Sequence, residues 1–74
     1  MLGLQYSEKA LHHWTKWRPK MVADLRKQGL LDQEVQRASR IAAEQVALLM
    51  EGGMQKFEAE EIVLPDVILL PPEE

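Results

Sequence analysis

Seventy-four residues with a formal charge of −3 and no cysteine make at most one domain, with a small core and neither a disulfide frame nor a cysteine-held metal to reinforce it. No stretch approaches the roughly 20 consecutive apolar residues that cross a bilayer, and the N-terminus lacks the charged start and apolar centre of a secretory signal, so a cytoplasmic protein without a membrane segment is expected. The charge is segregated: residues 1–30 carry six Lys or Arg against two acids, and residues 31–74 carry three against ten. A basic half lying against an acidic one, within the fold or across a homodimer, accounts for this without a nucleic-acid partner.

The first segment opens at Ser7, a favourable N-cap residue, with Glu8 in the first turn where negative charge suits the helix dipole. Tyr6, Ala10, Leu11, Trp14, Trp17, Met21, Val22 and Leu25 trace an apolar stripe at helical spacing that runs through Pro19. Proline costs roughly 3 kcal/mol in a helix interior, and because the stripe keeps its phase, the sequence predicts a kink or tight break there rather than a loop. Gly29 suits the left-handed conformation that ends helices, and Asp32 is placed to cap the next one.

Asp32 to Met50 is the strongest helical signal. Val35, Ala38, Ala42, Val46 and Leu49 share one face, while Gln33, Gln36, Arg37, Arg40 and Glu44 fall elsewhere on the cylinder. Ala38, Ala42, Ala43 and Ala47 permit close helix approach, and Val46, Leu48, Leu49 and Met50 thicken the C-terminal end. Gly52-Gly53 interrupts the pattern. A third helix is expected from Met54 to Leu64, with Phe57, Ile62 and Val63 reaching the core and Glu58, Glu60 and Glu61 in water, ended by Pro65.

Residues 65–74 then form an extended Pro-rich tail whose run Val67, Ile68, Leu69, Leu70 is too apolar to hang in water. It has three readings: lying across the helices to complete the core, pairing as a strand with a second subunit, or docking on another protein. The fold class is therefore all-α, a single small three-helix domain over residues 1–74, two helices longer and one short, with an extended apolar C-terminal tail.

Catalytic chemistry is thin. Glu8 and His12 share a face one turn apart, but no third ligand follows and Lys16 sits beside them, so no metal site is expected. His13, Ser7 and Ser39 have no partner set that would make a nucleophile, and Glu58, Glu60 and Glu61 have the spacing of a solvated face rather than an acid and base pair. A non-enzymatic protein without cofactors follows. Nucleic-acid binding is the alternative. Pro19 to Met50 has the outline of a helix-turn-helix with Gln36, Arg37 and Arg40 on its second helix, and Lys16, Arg18 and Lys20 interleave with Trp14 and Trp17 as phosphate-contacting and stacking types do. The acidity from residue 31 onward opposes it.

Ala59-Glu60-Glu61-Ile62-Val63-Leu64 and the following Val67-Ile68-Leu69-Leu70-Pro71-Pro72-Glu73, with an upstream break formed by Leu25, Gly29 and Leu31, resemble the ending of TnpV-type small transposon-encoded proteins. The chain is shorter than that family at Gly52-Gly53, between the central and the acidic helix. The resemblance implies a mobile-element or phage origin and carries no site residues. The expected function is protein interaction, modulating a host complex such as a defence nuclease with an acidic face imitating nucleic acid. Gln33, Gln36, Arg37, Arg40 and Glu44, with Val67, Ile68, Leu69 and Leu70, are the candidate partner-binding residues.

Overall fold

A computed structural model describes residues 4–73, which form α1 (Ser7–Trp17), α2 (Pro19–Gln28), α3 (Leu31–Glu51) and α4 (Lys56–Val67). The all-α expectation holds, but with four helices where three were expected, and among the described residues there is no strand. The extra helix comes from Pro19. Its ring removes a backbone donor and crowds the preceding turn, and here Arg18 leaves the helical region at φ −133° and ψ 57°, so that Pro19 becomes the first residue of α2. At that position the missing N–H is no loss. The break is tight: Arg18 N–H still bonds to the Trp14 carbonyl at 2.8 Å, and Val22 N–H to the Arg18 carbonyl at 3.1 Å.

Two glycines close helices by the same device. Gly29 (φ 72°) lets its own N–H reach Arg26 O and Leu30 N–H reach Leu25 O. Gly53 (φ 101°) does the same with Met50 O and Met54 N–H to Leu49 O. Both paired patterns satisfy carbonyls that a helix end otherwise leaves open. The N-termini depart from expectation. Tyr6 rather than Ser7 occupies the cap position of α1, and Leu30 rather than Asp32 that of α3, with Asp32 one residue into the first turn. Only α4 has a reciprocal capping box, with the Gln55 side chain accepting from the Glu58 N–H and Glu58 accepting from the Gln55 N–H.

α3 lies against all three other helices. Its inward face is Leu31, Val35, Ala38, Ser39, Ala42 and Val46, and Ala42 is fully buried, as its role in close approach requires. Ala47 is exposed and belongs to the opposite side. Tyr6, Ala10 and Trp14 from α1, Val22 from α2, and Ala59, Val63, Leu64 and Ile68 from the C-terminal segment complete the core.

α4 corrects the reading of Pro65. The helix continues through the proline to Val67, and Ile68 N–H bonds to Leu64 O at 2.8 Å. Proline forfeits one backbone bond there, but Val63 and Leu64 before it and Ile68 after it are all buried, and that packing holds the turn together. Phe57 and Ile62, expected inside, are 63% and 52% exposed. The described tail is correspondingly shorter than 65–73, because only the residues beyond Val67 lack regular structure.

Tyr6 joins three elements. Its backbone N–H donates to Ser39 Oγ at 3.0 Å and its hydroxyl donates to Glu60 Oε2 at 2.7 Å. Burial, then the hydrogen bond to Glu60 and the charge on that carboxylate, push the phenol from 10.0 up to about 12. Because the folded value lies above the unfolded one, the stabilisation is complete below pH 10 and is lost as pH rises toward 12. An absorbance titration of the phenolate should show a midpoint near 12, moving back toward 10 in Glu60→Gln only as far as burial allows.

Candidate interaction surface

The tail residues are placed by α1. Trp14 Nε1–H donates to Ile68 O at 2.8 Å in a buried bond, and the His13 Nε2–H donates to Leu70 O at 2.8 Å. Arg18 Nη1 donates to Pro71 O at 2.7 Å, and Glu73 N–H returns to Trp17 O at 2.9 Å. The carbonyls of an irregular segment thus find donors on α1 and at its end, as a segment packed against protein requires. Of the three readings of the tail, lying on the helices is the one observed. Ile68 is fully buried and so presents nothing to a partner, which removes it from the candidate partner-binding residues. Val67 and Leu70 are half-buried and Leu69 is 36% exposed.

Glu73 supplies what the sequence around Pro19 lacks. Arg18 offers α2 no side-chain cap, and the Glu73 carboxylate accepts from Lys20 N–H at 3.0 Å and Met21 N–H at 2.9 Å instead. These are open donors of the first helical turn, met by an acid 53 and 52 residues away in sequence. Desolvation alone would raise the carboxyl, but the two N–H groups and the positive charges of Arg18 and Lys20 outweigh it and hold it below the usual carboxylate range.

The outward row of α3 is where periodicity placed it. Gln33, Arg37, Arg40 and Glu44 are exposed and Gln36 is half-buried. Arg37 and Glu34 approach to 4.0 Å across one turn, an exposed pair that contributes little. Beside this row runs an apolar feature of whose two exposed large residues only Ile62 was expected to be core. Leu48, 60% exposed, and Ile62, 52% exposed, border a shallow groove of about 280 Å³ between α3 and α4, lined also by Gln45, Leu49, Val63 and Asp66. Leu48 lies out of phase with Val35, Ala42 and Val46, and that signal was present in the sequence. Ile62 carried none, since apolar residues are spread around α4 at Phe57, Ile62, Val63 and Leu64.

The residues proposed for nucleic acid divide. Lys16 and Lys20 are exposed, but the Arg18 guanidinium is committed to Pro71 and the Glu73 carboxylate sits at the backbone of Lys20. Trp14 is buried, whereas Trp17 is 43% exposed, its ring 5.1 Å from Lys16 Nζ and in tilted contact with His13. Among the described residues no three His, Cys, Asp or Glu side chains are grouped to hold a metal ion, and no helix is long and apolar enough to cross a membrane. No protein-family model, curated protein or solved structure matches the chain.

Two measurements follow from the strap formed by the tail. Because the Glu73 value is lowered by folding, its stabilisation is present above the unfolded carboxyl range and lost as pH falls through the folded value. Glu73→Gln should therefore speed amide hydrogen exchange at Lys20 and Met21 at neutral pH and flatten the acid limb of stability. Ile68→Ala should cost about 2–5 kcal/mol in chemical denaturation, as removal of a fully buried branched side chain does.

Proposed function

We propose that this is a non-enzymatic, cytoplasmic protein-interaction protein that uses the exposed side of α3, its outward row Gln33, Gln36, Arg37, Arg40 and Glu44 together with the adjoining α3/α4 groove. The observation that carries the reading is the pair Leu48 and Ile62, two large apolar side chains left in water and lining one groove. Apolar groups at the centre of a patch with polar residues at its rim are how protein interfaces are built. A DNA groove would instead require an excess of cations along the docking helix. On α3, Arg37 and Arg40 stand against Asp32, Glu34, Glu44 and Glu51.

The likeness of residues 59–73 to TnpV-type proteins supports a mobile-element or phage origin, and with it a role in modulating a host complex. The acids of α4 and of the C-terminal half of α3 give that reading its specific form, an acidic face standing in for nucleic acid before a host nuclease. The competing reading is a DNA-binding accessory factor using Gln36, Arg37 and Arg40, with Lys16 and Lys20 on phosphates.

Affinity-tagged wild-type chain expressed in a bacterial host should retain a defined set of proteins. Leu48→Glu/Ile62→Glu should lose them by about tenfold or more while keeping its helicity. Equal retention by both chains overturns the proposal. A duplex mobility shift that weakens steeply with salt and disappears in Arg37→Ala/Arg40→Ala replaces it with the DNA reading.

A further inference from the structure

The α3/α4 groove has a complement on the same chain. Leu48 is flanked on its own helix by Glu44 one turn before and Glu51 one turn after, and Ile62 by Glu58 one turn before and Asp66 one turn after. All four acids are exposed, and no Lys or Arg occupies the flanking positions. Elsewhere, Trp17 is 43% exposed at the end of α1, with Lys16 at its ring and Lys20 three residues on. One edge is thus apolar with Lys16 and Lys20 beside it, the Glu73 carboxylate being held there by the Lys20 and Met21 N–H groups, and the other is apolar with four open carboxylates around it.

We propose that the groove is occupied by the Trp17 edge of a second copy of this chain, an inference that rests on reading the groove as an interaction surface. Like-on-like pairing is disfavoured at either edge. Groove against groove opposes four carboxylates to four, and Trp17 edge against Trp17 edge opposes lysines to lysines. Edge against groove pairs opposite charges and buries apolar surface on both sides. Two copies related by a two-fold axis make this contact twice, residue for residue.

The dimensions point the same way. The Cα trace spans 41 × 28 × 13 Å, a slab, and its radius of gyration of 12.8 Å exceeds the about 11 Å of a compact domain of this length. Its accessible surface of 5327 Å² is above the roughly 4,700 Å² expected for a monomer of 8.5 kDa.

Sedimentation velocity of the full chain should give a dimer at about 50 mM salt that weakens at about 500 mM. Trp17→Ala and Leu48→Glu should each weaken association by about tenfold or more. The decisive measurement is a complementation. Isotope-labelled Trp17→Ala chain, whose groove is intact, should show amide shifts at Gln45, Leu48, Ile62 and Asp66 when unlabelled Leu48→Glu chain, whose Trp17 edge is intact, is added. Added unlabelled Trp17→Ala chain should produce none.

A wild-type chain that stays monomeric at low salt overturns the inference, as does association that neither substitution weakens, or a complementation without shifts. Each of these leaves the proposed function standing if Leu48 and Ile62 still govern retention of host proteins. If self-association is found and no host protein is retained, the self-contact stands and the host-directed role falls.

Discussion

The bond from the Trp14 indole N–H to the Ile68 carbonyl, 2.8 Å long and buried, is the contact on which the rest of the arrangement depends. It joins the middle of α1 to the end of α4, helices that do not pack along each other, and does so beside a fully buried Ile68. An indole N–H left inside without a partner would cost about 1–3 kcal/mol, and so would an open carbonyl at the helix end. Each group meets the other's need. With Ile68 held, the chain beyond it must run back along α1, where His13, Arg18 and the backbone at Trp17 receive it.

That return path explains two features that look anomalous in isolation. Pro65 lies within α4 because Val63 and Leu64 before it and Ile68 after it are buried, and their packing outweighs the one bond it forfeits. α2 begins without a side-chain cap of its own because Glu73 arrives from the far end of the chain to take the Lys20 and Met21 N–H groups. The acid at the C-terminus and the cations near Pro19 are parts of one contact. Arg18 and Lys20 help to lower the Glu73 carboxyl there, while the acids flanking Leu48 and Ile62 remain open to solvent.

α3 packs against the other three helices and turns Gln33, Arg37, Arg40 and Glu44 to solvent. The outward row there was legible from spacing alone, since a helix with a continuous apolar face must turn the remaining residues outward. The apolar edge beside it was not. A sequence pattern reports that Leu48, Phe57, Ile62 and Trp17 are apolar and stand on helices, but their burial depends on whether a neighbouring helix extends far enough to cover them. In a chain this short none does: α4 ends and turns at Ile68, and α2 is only ten residues long.

What the sequence determined by itself is the local structure: helices wherever apolar residues recur at three and four, a tight break at Pro19, and stops at Gly29 and Gly53. Each of these follows from the conformational limits of one residue and its immediate neighbours. Tertiary structure alone decided that α4 would pass through Pro65, that Ile68 would be core while Ile62 was not, that Glu73 would cap α2, and that Tyr6 would bridge Ser39 and Glu60. The long-range bonds that carry these outcomes join groups at least 33 residues apart. Periodicity names the face a residue occupies but not the partner it meets, and the partner is what selects between local alternatives of similar energy.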